Sequence, residues 1–411
     1  MPAPDSPQVL IGRYLQSNGF TKTLAAFLEE TNLRPENLVV EDPSTALTIE
    51  KVLDEKRLYD LSLKVEKVEV ADKDPDFSEP YPSISTEITP LDVTPSNVLF
   101  VSVVPELQPF EGPVLIATAA DRSLRLFSAQ SPHTMLRNFT TPTDSAILSV
   151  SVVEKQFLLI ATMTGRLLLL SASTGEALAS IRPHEKYAIR VLYSAPYVIS
   201  AAYDKTICVH ALETSAPSFS ESPVGKITLP TPPEALAVVM LPSKQEKAIV
   251  FSRRESTSLY YHLLQPGLPE HSTRNLSTSN WVSYHPMSVA VHPSNPSLLA
   301  VATSSVPHMK LILVRVDSEE VTKELFTGAP QSAYSTAVLA WRPDGSGVWL
   351  NADEGIVRGL EVKTGKVKAK LVVSGNGEKV RTLWAGDVKG LGECLVTGSF
   401  DKGLKVWKVL A

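Results

Sequence analysis

The chain of 411 residues carries a formal net charge of -5 at neutral pH, and 43% of its residues are hydrophobic. This composition is typical of a globular protein, and the negative charge argues against general binding to nucleic acid or to anionic membranes. Its two cysteines, Cys208 and Cys394, are too few for a disulfide framework or a thiolate metal cluster. The N-terminus lacks the pattern of a secretory signal and no apolar run reaches about 18 residues, so we expect a cytoplasmic or nuclear protein.

The first predicted element is a pair of short helices over residues 7–34. Ser6-Pro7 is typical of a helix start and Asn18-Gly19 of a helix end, and a second helix can begin at Thr21. Apolar side chains recur at three-and-four spacing on both helices. Helices of about ten residues cannot bury such stripes alone, so the pattern indicates association with another surface. The apolar residues are Leu10, Ile11, Tyr14, Leu15, Phe20, Leu24, Phe27 and Leu28.

These two helices resemble a LisH motif. The matching residues are Leu10-Ile11 with Tyr14-Leu15, then Gly19-Phe20, then Thr23-Leu24-Ala25-Ala26-Phe27 with Glu30. The one departure is Phe20, where Tyr is common in the motif. The resemblance implies a homodimer in which two copies form a four-helix arrangement through the eight apolar residues. Docking of the helices on the rest of the same chain, or on a different partner, is the alternative.

Two less regular segments follow the helix pair. A third helix is predicted over residues 44–68, where Leu58, Leu61, Val65 and Val68 keep a heptad pattern for about two heptads. That pattern fits either a short coiled coil or a helix packed on another part of the chain. Residues 69–95 are rich in Asp, Ser and Pro and are predicted to form an acidic linker. Within it, residues 84–91 alternate as a strand does.

The remaining residues, 96–411, contain three similar hairpin sequences. Each joins an apolar run to a second strand through a turn that contains Asp121, Asp204 or Asp401. Asp suits such a turn because its carboxylate can accept hydrogen bonds from nearby backbone N–H groups. Successive Asp residues are 83 and 197 positions apart, which corresponds to about two and four repeat units. The spacing therefore predicts seven units.

The hairpins resemble the second and third strands of WD-repeat blades. The resemblance implies a mainly β fold, a seven-bladed WD-repeat β-propeller over residues 96–411, preceded by the small all-α LisH region. The C-terminus supplies only about three strands of the last blade, so we expect residues 84–91 to complete it. Blades four to six lack the turn Asp in its usual setting, which leaves six or eight blades open. We place blades one, two, four, five and six at about residues 96–129, 134–172, 224–264, 273–316 and 321–362.

The sequence contains no recognisable pattern of catalytic, cofactor-binding or metal-binding residues. Its histidines are dispersed and no Gly-x-Ser-x-Gly elbow occurs, so we predict a noncatalytic protein with no cofactor and no metal site. Pro183-His184 resembles the Gly-His dipeptide of WD repeats, which implies a structural histidine. Residue types enriched in interface hot spots occur in predicted loops and suggest partner binding, with ordinary solvated or packing roles as the alternative. These residues are Arg253, Arg254, Trp281 and Tyr284.

The combined pattern favours a noncatalytic dimeric scaffold that presents two propeller surfaces to other proteins. This architecture resembles that of lissencephaly-type dynein regulators, corepressor subunits and LisH-bearing ubiquitin-ligase subunits. A substrate-recognition or structural subunit of a ubiquitin ligase is therefore the alternative, although no Trp-Asp-x-Arg signature follows Trp407. An enzyme that uses the propeller channel is a weaker alternative. The expected partners are the chain itself and other proteins, with no membrane and no nucleic acid.

Overall fold

The computed structural model describes residues 6–39, 48–50, 52–53, 75–88, 96–140, 143–277, 284–316, 318 and 321–409. The chain divides into two compact units, residues 1–70 with 278–283, and residues 71–277 with 284–411. Residues 49–50 and 52–53 of the predicted third helix are helical. The remainder of that predicted helix, and Trp281, lie outside the described residues.

The N-terminal unit contains the two predicted helices, α1 (Pro7–Ser17) and α2 (Thr21–Thr31). Helix α1 begins as the sequence indicates, because the Ser6 hydroxyl accepts a hydrogen bond from the Val9 N–H at 3.4 Å. Helix α2 ends at Asn32, which adopts the left-handed conformation with φ +53°. The predicted helix pair is thus confirmed.

A short 3₁₀ helix, Pro35–Leu38, follows α2 and packs on α1. Leu38 is buried together with Val9 and Leu33, and these three side chains form the small core of the unit. Gly12 permits this packing, because a Cβ at that position would lie 2.6 Å from a Leu38 methyl carbon. The sequence did not predict this turn of helix.

The second unit is built from short antiparallel strands. In chain order they are β1 (Ile84–Glu87), β2 (Val98–Val104), β3 (Val114–Ala119), β4 (Leu124–Ser128), β5 (Met135–Phe139), β6 (Ile147–Val153), β7 (Phe157–Thr162), β8 (Leu167–Ser171), β9 (Ala177–Ile181), β10 (Ala188–Ser194), β11 (Tyr197–Ala202), β12 (Thr206–Glu213), β13 (Ser218–Phe219), β14 (Gly225–Thr228), β15 (Pro233–Leu241), β16 (Glu246–Arg253), β17 (Ser258–Leu263), β18 (Glu270–Asn275), β19 (Pro286–Val291), β20 (Leu298–Thr303), β21 (His308–Arg315), β22 (Val321–Pro330), β23 (Leu339–Trp341), β24 (Gly347–Asn351), β25 (Ile356–Glu361), β26 (Val367–Val372), β27 (Val380–Val388), β28 (Gly392–Ser399) and β29 (Leu404–Lys408).

These strands form seven sheets, which are the blades of a β-propeller. Blade one contains β2 to β5, blade two β6 to β9, blade three β10 to β14, blade four β15 to β18, blade five β19 to β22, blade six β23 to β26, and blade seven β27 to β29 with β1. The predicted number of seven blades is confirmed. Buried apolar side chains lie between neighbouring blades, and one such cluster joins blade seven to blade one. The ring of blades is therefore closed.

Blade seven is completed by the strand that the linker supplies. Strand β1 pairs antiparallel with β29, with Thr86 opposite Val406. This pairing covers the outer edge of β29, which would otherwise present unpaired backbone groups. The closing strand expected from residues 84–91 is thus present over Ile84–Glu87.

The predicted blade boundaries are wrong by one strand. Strand β5 was placed at the start of blade two, but it is hydrogen-bonded to β4 and is the outermost strand of blade one. The same shift applies to β14, β18 and β22, which pair with β12, β17 and β21 of the preceding blades. Each sequence repeat begins with an outer strand, but the hydrogen bonds of that strand place it in the preceding blade.

Blade six also contains a turn Asp, Asp353, which the hairpin pattern does not predict. Only Ala352 separates Asp353 from the end of β24, and the Asp353 carboxylate accepts a hydrogen bond from the Ser335 hydroxyl at 2.6 Å. Lys379 also donates to this carboxylate at 2.8 Å. Asp353 lies between Ala352 and Glu354 rather than before a basic residue, so it did not match the hairpin pattern.

The turn in blade three shows why Asp is needed there. Asp204 accepts hydrogen bonds from the Thr206 N–H at 3.1 Å and the Glu185 N–H at 3.0 Å. The buried His184 ring lies 3.2 Å from the same carboxylate and 2.8 Å from the Ser200 hydroxyl. His184 therefore has the structural role that its resemblance implied. Asp121 and Asp401 likewise accept from the N–H groups of Ser123 and Gly403.

Replacing Asp204 with Ala should lower the free energy of unfolding by about 1–3 kcal/mol at pH 7, because the buried residues Thr206 and His184 lose their hydrogen-bond partner. Burial acts to raise the pKa of Asp204, but hydrogen bonds and His184 hold it below its ordinary value. Its stabilisation is therefore present above pH 3.8 and lost as the pH falls through the lower folded pKa. Urea unfolding measures the free-energy difference between wild type and Asp204→Ala, which should be smaller at pH 3 than at pH 7. Replacement of the exposed Asp387 with Ala is the control. Equal stability of Asp204→Ala and wild type at pH 7 would contradict it.

Candidate protein-binding site

The innermost strands of the blades share a local distortion at the channel. In six blades, a β-bulge shifts the register between the first two strands directly after their first residue pair. The bulge residues all line one central cavity, and bulges are known to re-aim side chains beside functional sites. These residues are Leu99, Leu148, Ile189, Glu234, Ala235, Met287 and Arg381.

The cavity has a volume of about 270 Å³ and receives side chains from all seven blades. Most bulge residues in it are apolar, so the two charged ones stand out. Glu234 belongs to blade four and Arg381 to blade seven. A second arginine, Arg190, follows the bulge of blade three and also lines the cavity. The channel mouth is thus an apolar ring with a few charged groups.

One side of the mouth is a tightly connected aromatic and charged cluster. Tyr187 stacks on Tyr203 with ring centroids 4.6 Å apart, and the Arg254 guanidinium lies 5.2 Å from the Tyr203 ring. Arg254 donates to the Tyr203 hydroxyl at 2.7 Å and forms an ion pair with Glu234. Burial, together with Tyr203, raises the pKa of Tyr187 to about 12, so this hydroxyl stays protonated at neutral pH.

The four residues proposed from sequence for partner binding do not form one patch. Arg254 is exposed at the channel mouth. Arg253 is half-buried and donates to the Tyr260 hydroxyl at 3.0 Å. Tyr284 is buried, and its hydroxyl donates to the Leu276 carbonyl at 2.7 Å, so its assignment to an exposed patch is wrong. Trp281 lies outside the described residues.

The channel-mouth residues that sequence reasoning missed are Tyr187, Tyr203, Arg190 and Arg381. Tyr203 directly precedes the turn residue Asp204, so the hairpin pattern could have placed it at a blade edge. Arg190 and Arg381 lie in strands β10 and β27, where a simple alternation cannot show which residue a bulge turns toward the channel. Within the described residues, no group of three or more His, Cys, Asp or Glu side chains could hold a metal ion.

Comparison with known proteins identifies the family. A family model described as UCP007778, beta-propeller domain, matches residues 67–408, and a model described as UCP007778, LisH domain, matches residues 6–33. The chain belongs to the UCP007778 family. The crystal structure of the WD40 beta propeller domain of Doa1 is similar, with a TM-score of 0.58 and 16% identity over 81% of this chain and 98% of that chain. At this identity the likeness concerns the fold alone. No curated protein matches this chain.

In this UCP007778 chain, the LisH residues form an apolar surface that the N-terminal unit does not bury. None of the eight side chains predicted for dimerisation is buried, and no residue of α2 is buried. Ile11 is 38% exposed and Phe20 is 50% exposed. Leu24, Phe27 and Leu28 pack partly against the small core of the unit. In the part of the chain that the structure describes, no helix is long and apolar enough to span a membrane.

Proposed function

We propose that this protein is a noncatalytic dimeric scaffold whose two propellers bind partner proteins. The observation that carries this proposal is the uncovered apolar surface of α1 and α2. The N-terminal unit leaves Ile11 38% and Phe20 50% exposed, and burial of the exposed part would contribute roughly 0.5–1.5 kcal/mol for each side chain. A second copy of the same helices offers a matching apolar surface, and self-association through a two-fold axis uses the same residues on both chains.

Dimerisation would change how the propellers bind. Two linked copies of one binding face convert the second binding event on a divalent partner into an intramolecular one. Overall avidity then exceeds the affinity of a single propeller, without any new contact. The proposal therefore assigns the helices to self-association and the channel-mouth face to partners.

Replacing Phe20 and Leu24 with Asp should convert the dimer to a monomer, because two carboxylates would have to be buried in an apolar interface. Light scattering during gel filtration measures the mass directly, and near-native thermal unfolding of the propeller should persist. The matched control is Lys22→Asp with Ala26→Asp, since both residues are exposed on the same helix but about half a turn away. A doubly substituted Phe20/Leu24 variant that remains dimeric would contradict the interface.

Co-purification from cells distinguishes the scaffold from the ubiquitin-ligase alternative. The full chain is compared with one that starts at Pro75, which lacks the LisH helices but keeps the closing strand. A scaffold should retain its propeller partners after this truncation, with reduced yield for divalent partners. A RING-type or cullin-linked assembly that is lost with the helices would instead support the ligase alternative.

A further inference from the structure

Arg190 and Arg381 are cationic groups of the channel that no acid neutralises. Neither forms an ion pair with any described residue, whereas the third channel arginine, Arg254, is paired with Glu234. The Arg381 Nε atom is buried and has no hydrogen-bond partner, although its guanidinium lies 5.7 Å from the Phe400 ring. A partly buried charge held without a partner costs stability, so Arg381 points to a ligand, and the exposed Arg190 lines the same cavity.

The two guanidiniums differ in their exposure to solvent, since Arg190 is exposed and Arg381 is half-buried. Arg190 is reached by solvent, yet protein surrounds it closely enough for burial to lower its pKa. Burial lowers the pKa of Arg381 as well. Neither arginine has a nearby carboxylate that would raise its pKa. Arg254 differs, because Glu234 raises its pKa although burial acts to lower it. An incoming anion would therefore meet less screening here than on an open surface.

The two arginines come from opposite sides of the ring. Arg190 belongs to blade three and Arg381 to blade seven, which are three blades apart by the shorter route around seven blades. Both line the same cavity of about 270 Å³, which is open to solvent at the mouth. An anionic segment that enters this mouth therefore meets a guanidinium from each side of the ring.

Two exposed apolar side chains lie at the edges of blades two and seven on this face. Met163 and Phe400 are 51% and 38% exposed. Met163, Tyr203 and Phe400 occupy equivalent places in their blades, because the N–H of each donates to the carbonyl that precedes the innermost strand. The N–H donors of Met163 and Phe400 are 3.0 Å and 3.1 Å from the carbonyls of Ala146 and Lys379.

We propose that the channel mouth binds an extended acidic segment of a partner protein, with one anionic side chain held between Arg190 and Arg381 and flanking apolar side chains on Met163 and Phe400. This inference rests on the proposed function as a protein-binding scaffold and names the chemistry of its partner. Glu234 does not repel the ligand, because Arg254 neutralises it. The anionic group is a carboxylate or a phosphorylated side chain, since both can accept from guanidinium donors.

The test uses the full-length protein and three labelled octapeptides in fluorescence anisotropy. The acidic probe is Ser-Gly-Leu-Glu-Glu-Leu-Gly-Ser, and the other two replace both Glu residues with Gln or with phosphoserine. We expect the acidic or the phosphorylated probe to bind and the Gln probe not to bind. Arg190→Gln and Arg381→Gln should each weaken binding by about tenfold, whereas the paired control Arg122→Gln with Arg166→Gln on the same face should not. Binding should also weaken as salt rises.

Stability measurements separate a binding role from a packing role. If the arginines serve a ligand, Arg190→Gln and Arg381→Gln should leave the midpoint of thermal unfolding unchanged or raise it, because each removes an unpaired charge. Lower midpoints would show packing roles and overturn the inference, as would equal binding of the Gln probe or of the variants. Light scattering on the same samples reports the dimer independently, so failure of peptide binding is distinguishable from failure of the scaffold proposal.

Discussion

Phe77→Ala should destabilise the propeller strongly, with a loss of about 3–5 kcal/mol in the free energy of unfolding. Phe77 precedes the closing strand, and its side chain is 7% exposed in the core between blades six and seven. Its ring meets Trp349 edge-on at 6.1 Å, and the Arg342 guanidinium lies 4.2 Å from its centroid. Phe77 thus anchors the end of the linker in the propeller at a position that precedes β1 in the chain.

The pocket for Phe77 is shaped by two glycines. A Cβ at Gly347 would lie 2.6 Å from the Phe77 ring, and one at Gly359 would lie 2.9 Å from it. The Phe77 N–H also donates to the Glu361 carboxylate at 2.9 Å. Burial acts to raise the pKa of Glu361, but Thr364, this N–H and Lys368 hold it below its ordinary value. Because the two glycines bring backbone against the ring, its removal would leave a cavity that neighbouring backbone cannot easily fill.

Urea unfolding monitored by tryptophan fluorescence measures the effect of Phe77→Ala. Tyr334→Ala is the matched control, because that aromatic side chain is 94% exposed and should leave stability unchanged. A chain that starts at Thr86 should be at least as unstable as Phe77→Ala, whereas one that starts at Pro75 should keep the stability of the propeller. Wild-type stability of Phe77→Ala would show that the ring does not fasten the linker.

The sequence could predict the blades but not the packing of Phe77 between blades six and seven. The repeated hairpins place Asp121, Asp204 and Asp401 in turns because the Asp side chain has a local role within each hairpin. Phe77 has no such local pattern, since it and Tyr81 are the aromatic residues of a stretch rich in Asp, Ser and Pro. Its contacts with Arg342 and Trp349 join residues more than 260 positions apart in the chain, so only the folded structure brings them together.

The candidate site shows the same division between local and distant information. Arg254 was chosen because arginine is common in interface hot spots, and it does lie at the channel mouth. Tyr284 was chosen on the same basis, but burial and its hydrogen bond to Leu276 give it a packing role. Residue type alone cannot separate these cases. The positions of Arg190 and Arg381 depend on bulges and on the closure of the ring, which neither composition nor spacing encodes.

Arg342→Met should also destabilise the propeller, by about 3–5 kcal/mol, because it breaks a buried ion pair and leaves one charge behind. The Arg342 side chain is fully buried, and its Nε and Nη2 atoms donate to the Glu393 carboxylate at 2.8 Å and 2.5 Å. Its Nη1 atom donates to the Ser78 carbonyl at 2.8 Å and the Ser346 hydroxyl at 3.1 Å. One guanidinium therefore joins the linker, blade six and blade seven.

A double-mutant cycle with Glu393→Gln separates the ion pair from the other contacts of Arg342, with the free energy of unfolding as the measurement. Glu393→Gln in the Arg342→Met background should recover part of the loss, because no unpaired carboxylate remains. Lys155→Met is the control, since the ion pair of Lys155 with Glu106 is exposed on both sides and its removal should leave stability unchanged. If Glu393→Gln instead adds its full separate cost to Arg342→Met, the two side chains are not coupled, and the guanidinium stabilises the propeller through its contacts with Phe77, Ser78 and Ser346.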